Sequence, residues 1–185
     1  MNENVWGRPL SNEEISSILR TWTVGEIGSI ASSVGLLVHY IAEYAELQDK
    51  LRSDLSILPT AIDEILRIQG PLVASRRITK CPVEINGRKI DTGERISINW
   101  VSANRDGSIF EEPESFRLDR DPAGNLLYGA GIHVCPGAPL ARMEMRVALE
   151  ELLERTSQIQ LNSQKPPIRA RYPASGFAAL PVKIK

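Results

Sequence analysis

Between Tyr128 and Gly137 the chain reads YGAGIHVCPG and runs at once into APLARMEMRVALEELLER, a strongly helical stretch. One cysteine, Cys135, is thereby presented from a glycine-rich loop at the mouth of a helix. Backbone N–H groups and the positive end of a helix dipole both favour thiolate over thiol. A thiolate held in a tight loop with one open approach suits axial ligation of haem iron. Gly129, Gly131 and Gly137 let such a loop turn sharply and lie close to a flat macrocycle, because glycine has no Cβ to clash and tolerates positive φ. Pro136 and Pro139 suit a helix start, where a missing N–H leaves nothing unpaired. The competing reading of a lone cysteine is a small buried thiol.

The run Tyr-Gly-x-Gly-x-His-x-Cys-x-Gly, followed by Ala-Pro-Leu-Ala-Arg, resembles the cysteine loop of the cytochrome P-450 superfamily, the haem-thiolate monooxygenases, and within it the bacterial soluble members. Tyr128 stands where the family usually has phenylalanine, so an aromatic wall is kept. The resemblance implies haem b (iron protoporphyrin IX) as cofactor, with Cys135 as the axial iron ligand. It also implies that Tyr128, Gly129, Gly131 and Gly137 shape the cradle, and that His133 contacts a haem propionate.

The elements that must position this loop lie upstream. Glu64 and Arg67 fall three apart in PTAIDEILRIQ, a helical stretch opened by Pro59, and can pair on one face. Alone, Glu-x-x-Arg is a weak signal: a second copy, Glu114 to Arg117, sits in a proline-bounded loop, and a solvated helix pair would look the same. Its place before a β region and before the cysteine loop is similar to the family's Glu-x-x-Arg helix, which implies a structural pair anchoring the core under the haem. Four runs, LVASRRIT, PVEING, RKIDTG and ERISINW, read as short strands, with Asn86-Gly87 as a hairpin turn and Thr92-Gly93 as another. Arg76 and Arg77 lie on the first. The resemblance places a propionate-binding arginine on this strand, and counting back from VEING favours Arg77. Its planar fork suits a carboxylate; the alternative is an exposed strand charge.

The stretch SANRDGSIFEEPESFRLDR is similar to the family's irregular segment before the cysteine loop, with Phe110, Pro113 and Phe116 at the familiar spacing. The family commonly completes a triad there with an arginine. This chain has Ser115, leaving Arg117 or Arg120 to supply the charge from a shifted position. After the cysteine helix, QIQLNS, PPIRARYP and GFAALPVKIK read as short strands, the last resembling a closing β-hairpin. Widely spread apolar positions on the 139–155 helix suggest burial on several sides. Arg142 and Arg146 are one turn apart on it, and local pairing with Glu150 is preferred to docking of an acidic partner.

Residues 11–50 read as helical, with Ser11 and Glu14 forming a capping box and a break or join near residues 20–24. Trp22 to Tyr44 resembles the family's long distal helix, which crosses the oxygen-binding face. The family carries an acid-alcohol pair there. Here Ile27 stands at the acid position and Gly28 at the threonine position, while Glu26 and Ser29 are each one residue off. A one-residue shift turns a helical side chain by about 100°. Proton delivery by Glu26 and Ser29 therefore requires a distorted helix, which Gly25 and Gly28 make plausible.

The 185 residues carry a net charge of −1 with both signs interspersed and 42% hydrophobic content, ordinary for one globular domain. Nothing points to nucleic acid or to a membrane as partner. MNENVWGRPLS reads as neither signal peptide nor anchor, and the most apolar run, around 30–42, is short of a membrane span. A cytoplasmic location is expected. Cys81 and Cys135 make no disulfide framework. The two histidines and two cysteines have no zinc-ligand spacing.

The expected fold is mainly α with small β-sheets (α+β), corresponding to the carboxy-terminal half of the cytochrome P-450 fold. Its expected parts are a lead over 1–10, a helical region over 11–52, the Glu-x-x-Arg helix over 57–69, a β region over 70–98, an irregular segment over 99–127, the cysteine loop and proximal helix over 128–155, and closing strands over 156–185. The resemblance implies a monooxygenase of a small organic substrate, or its haem-binding fragment, with electrons from a ferredoxin-type or other partner. The alternative is a non-catalytic haem-binding or interaction module, completed by a separate chain or self-associating through uncovered apolar surface.

Overall fold

The computed structural model describes residues 4, 5, 7–172 and 174–185. A two-stranded ribbon, β1 (Asn4–Val5) and β2 (Arg8–Pro9), precedes helix α1 (Asn12–Val24). Ser11 caps α1 as a capping box: its hydroxyl accepts from the Glu14 N–H, and the Glu14 carboxylate accepts from the Ser11 N–H at 2.8 Å. No break follows near residues 20–24. The helix runs on through a π turn, Gly25–Ser29, into α2 (Ile30–Glu43). The break expected near residues 20–24 is absent, while the distortion that Gly25 and Gly28 make plausible is present as this π turn. A π turn keeps the backbone bonded but admits one extra residue per turn, so only a shift in side-chain direction marks it.

The continuous helix Asn12–Glu43 is 32 residues long, and by length and composition alone it could cross a membrane, contrary to the reading of the 30–42 run as too short. Its second part is nevertheless spent on protein: Ser33, Leu36, Leu37, His39, Tyr40 and Ile41 are buried. Around it pack α3 (Ala45–Ser53), α4 (Leu58–Gln69) and the cysteine-loop helix, named α6 below. Leu36, Leu37, Ile41, Leu51, Leu58, Ile62, Ile65, Leu66, Met145, Leu149 and Ile159 form the centre of the core. The buried Gln48 of α3 substitutes for a missing strand. Its amide donates to the Ile159 carbonyl at 3.0 Å and accepts from the Ile159 N–H at 2.9 Å.

The β region forms as its turn residues require. β3 (Ala74–Ile78) pairs antiparallel with β6 (Arg95–Asn99), and β4 (Val83–Ile85) with β5 (Arg88–Ile90). Asn86 and Gly87 both take positive φ, 49° and 78°, as a type I′-like turn demands. A short helix α5 (Trp100–Ala103) leads into the irregular segment. Helix α6 (Ala138–Arg155) buries one stripe, Ala138, Met145, Leu149 and Leu153. Met143 and Val147 are exposed, so the broad burial suggested by the spread of apolar positions is replaced by a single buried face. At the end, β9 (Phe177–Ala179) pairs with β8 (Ile168–Arg169), and β10 (Val182–Ile184) with β7 (Ile159–Leu161). The two halves of GFAALPVKIK thus join two separate ribbons, parted at Pro181.

The buried His39 of α2 stacks on Phe177 with ring centroids 4.5 Å apart, and Arg169 covers the same ring at 4.4 Å. Its Nδ1 lies 3.2 Å from Glu43 Oε2 but without hydrogen-bond geometry. Burial pushes the imidazole below its ordinary range; Glu43 opposes this and Arg169 adds to it. A histidine depressed in the folded state resists a proton that the unfolded chain accepts. Stability is therefore full above the unfolded value of about 6.5 and falls as the pH drops towards the folded one. Urea midpoints at two pH values either side of that range are expected to differ in wild type and to converge in His39→Gln.

Candidate functional site

The cysteine loop is built on three backbone devices. Gly129 and Gly131 take φ of 74° and 65°, the left-handed region where a side chain is strained. Gly131–His133 forms a 3₁₀ turn, closed by the Val134 N–H donating to the Gly131 carbonyl at 3.1 Å. The Cys135 N–H donates to the Tyr128 carbonyl at 2.8 Å, which ties the two ends of the loop together. Gly137 differs from the expectation. It sits at φ −84° in ordinary right-handed space, and an added Cβ would meet Cys135 Sγ at 3.8 Å, an ordinary contact. Neither a positive φ nor crowding among the described residues requires glycine there.

Cys135 is an exposed free thiol, not a buried one. Beside it Ile132 is 96% exposed and Val134 is 53% exposed. Apolar side chains offered to solvent on a loop this constrained suit contact with an apolar ligand face. His133 and Arg77 are both exposed and neither has an ion-pair partner among the described residues; Arg77 donates only to the Arg76 carbonyl. Two unpaired cationic or donor side chains suit the propionates of a haem, and a free thiol suits its iron. The residues present fit that group. Tyr128 stands at the start of the loop, its carbonyl accepting from the Cys135 N–H. Its ring carries the Arg142 guanidinium at 4.3 Å, its hydroxyl is buried without a partner, and burial raises its pKa to about 12.

The Glu-x-x-Arg pair of α4 is buried and bidentate, not solvated. Arg67 Nε lies 2.8 Å from Glu64 Oε2 and its Nη2 lies 2.9 Å from Oε1. The Arg67 Nη1 also donates to the carbonyls of Asn104 at 2.6 Å and Pro113 at 2.9 Å, so one guanidinium fastens α4 to the irregular segment. The arginine absent at Ser115 is supplied by Arg120, whose Nε donates to Glu64 Oε1 at 3.0 Å. Arg117 contributes only its backbone N–H to Glu64, at 3.2 Å, and turns its side chain to Glu111 and Asp119. Both Arg67 and Arg120 lie over the Phe110 ring, at 5.0 and 5.8 Å. Burial opposes ionisation of Glu64, but hydrogen bonds from Arg67 and Arg120 outweigh it and hold the carboxyl below its usual range. The segment bends through Glu112, at φ 45°, whose carbonyl accepts from Arg120 at 3.1 Å.

The arginines of α6 separate. Arg146 pairs with Glu150 at 2.8 Å, as expected, whereas Arg142 reaches Asp63 of α4 at 3.0 Å. On the distal helix, Glu26 and Ser29 both fall in the π turn. The Ser29 carbonyl accepts from the Ser33 hydroxyl at 2.8 Å, and no side-chain hydrogen bond joins Glu26 to Ser29 among the described residues. Among the described residues no group of three metal-ligating side chains occurs.

Residues 37–185 match the family model described as Cytochrome P-450, and the chain belongs to that family. Across 98% of its length it is 31% identical to the steroid C26-monooxygenase of Mycolicibacterium smegmatis, 46% of which is covered. It is 32% identical, over 96% of its length, to the cytochrome P-450 monooxygenase PikC of Streptomyces venezuelae, 43% of which is covered. Its structure superposes with a TM-score of 0.92 on CYP109E1 from Bacillus megaterium in complex with testosterone, at 30% identity, covering 98% of this chain and 51% of that one. The chain thus spans less than half the length of these curated relatives and matches the carboxy-terminal part of the fold. Family membership implies a haem cofactor.

Proposed function

We propose that this chain is the haem-bearing part of a haem-thiolate monooxygenase that inserts one oxygen atom from dioxygen into a small organic substrate. The observation that carries the reading is the exposed Cys135 thiol in its glycine-built loop at the start of α6, in a fold whose Glu64–Arg67–Arg120 cluster is buried. Cys135 is the iron ligand; His133 and Arg77 take the propionates; Ile132 and Val134 cover the face of a macrocycle, here haem b. When bound, that group supplies the activation of dioxygen, which a thiolate ligand favours by donating electron density. Glu26 and Ser29, in the π turn, hold and pass protons on the distal side. Electrons come from a ferredoxin-type or other electron-transfer partner. The names of the relatives, a steroid monooxygenase and a testosterone complex among them, favour a lipophilic substrate. The proposed place of action is the cytoplasm. Turnover with a surrogate redox system, compared between wild type and Cys135→Ala, tests the reading: product formation is expected only with Cys135, and activity unaffected by the mutation refutes it.

A second reading has its own observation. α1 has no buried residue, and Ile18, Leu19, Trp22, Val24 and Ile27 are exposed along it and the adjoining π turn. A helix of this length is marginal in water without packing. This favours a further protein surface that covers α1, from a complementary chain or a second copy, with haem binding rather than turnover as the role of this chain alone. Sedimentation of the purified chain with and without haem distinguishes the two.

A further inference from the structure

The β region carries charge that the haem-thiolate reading does not use. Over residues 74–99 six basic residues stand against three acidic ones, in a chain whose net charge is −1. None of the nine takes part in an ion pair among the described residues. The one side-chain hydrogen bond that any of the six cations makes there runs from Arg77 to the Arg76 carbonyl. Two of the six, Arg88 and Arg95, line a single cleft of about 230 Å³ together with Ile90, Glu94, Ile96 and Ser97. Glu94 shares the cleft and still leaves both guanidiniums free. In the register of β3 with β6, Arg76 stands opposite Ser97 and Ile78 opposite Arg95, so these four share one face of the ribbon. Arg77, opposite Ile96, lies on the other face. On the β4–β5 hairpin Ile85 stands opposite Arg88 and Val83 opposite Ile90, which sets an apolar strip beside Arg88. The buried Thr79, just past β3, holds the cleft in shape. Its hydroxyl donates to the Asp91 carbonyl at 2.5 Å and accepts from the Glu94 N–H at 3.0 Å, and its own N–H donates to the Glu94 carbonyl at 3.0 Å. The short link from β5 to β6 is thereby pinned, and the strands that carry Arg88 and Arg95 keep a fixed spacing.

We propose that Arg88, Arg95 and the Ser97 hydroxyl bind the phosphate group of a small ester whose apolar body lies along Ile85 and Ile90. One guanidinium fork already matches the two oxygens of a carboxylate. Two forks and a hydroxyl call for a tetrahedral group with more acceptors. Arg76, on the same face as Arg95 but outside the cleft, adds attraction from a distance. The cleft is smaller than the roughly 300–1,000 Å³ of pockets that enclose a drug-sized ligand, so it takes the charged group and the part next to it. A soluble ester and a lipid headgroup present that same chemistry. The site uses none of the residues assigned to haem and does not depend on the haem-thiolate reading.

The test is an amide-nitrogen NMR titration of the full chain, free of haem, with inorganic phosphate at constant ionic strength. Saturable shifts at the Ile90, Arg95 and Ser97 amides are expected. Arg88→Gln and Arg95→Gln are each expected to weaken binding about tenfold, through loss of charge-assisted hydrogen bonds. Both side chains are exposed and unpaired among the described residues, so the variants keep the fold. Arg155→Gln, at the end of α6, removes the same charge elsewhere and is expected to leave binding unchanged. Shifts that rise without saturating, acetate binding as tightly as phosphate, or an equal effect of all three substitutions overturns the proposal. Where phosphate binds, sedimentation with phosphatidylcholine vesicles, with and without phosphatidic acid, fixes the source. Pelleting that needs phosphatidic acid and is lost in Arg95→Gln supports a lipid headgroup; a chain that stays in the supernatant supports a soluble ester.

Discussion

Replacing Arg67 by alanine is expected to destabilise the protein by about 3–5 kcal/mol, the cost of breaking a buried ion pair by removing one partner. Arg67 is 1% exposed, among the most buried large side chains of the molecule. Its removal does more than delete a pair. Glu64, itself buried, keeps only Arg120 and the Arg117 N–H, while the Asn104 and Pro113 carbonyls lose their donor. Each orphaned buried polar group adds its own desolvation cost. A denaturant midpoint measured with an unchanged slope gives the number, and a loss below about 1 kcal/mol would show that solvent replaces the guanidinium and that the cluster is not dry. The same cluster sets an acid limit. Glu64 is held below its usual range, so its contribution is complete above the unfolded glutamate value of about 4.3 and is lost as the pH falls through the folded one. Glu64→Gln should flatten that part of the pH profile while lowering stability at neutral pH.

Replacing Cys135 by alanine is expected to do the reverse: leave stability within about 0.5 kcal/mol of wild type and abolish thiolate-ligated haem. The thiol is exposed, its sulfur packs no closer to a Gly137 Cβ position than 3.8 Å, and the loop is held by backbone bonds that alanine keeps. No packing is lost with the sulfur. Haemin titration followed by absorbance, beside a thermal transition of the same samples, separates ligation from folding. Equal haem spectra in the two proteins would place the iron on another residue. A collapse of the thermal transition in the variant would instead make Cys135 a structural residue.

The distinction between these two positions was partly readable beforehand. The loop residues Gly129 and Gly131, the Asn86-Gly87 turn and the Ser11–Glu14 cap are local devices, decided by the conformations of single residues, and they form where their types demand. Glu64 and Arg67 are legible as a pair from helical spacing, but their burial is not, since burial is conferred by a segment about forty residues downstream that folds back over α4. The replacement of the arginine missing at Ser115 by Arg120 turns on how that segment bends at Glu112, a positive-φ residue that nothing in its type announces. The distortion at Gly25 and Gly28 is legible from the glycines, but the separate break expected near 20–24 does not occur, since the helix stays bonded from Asn12 into the π turn.

The most direct test of the haem-thiolate reading is the carbon monoxide difference spectrum of the chain after addition of haemin and reduction. A strongly red-shifted Soret band, present in wild type and lost in Cys135→Ala, is the predicted result and places the Cys135 thiolate on the iron. A band typical of nitrogen ligation, or one that survives the mutation, would contradict it.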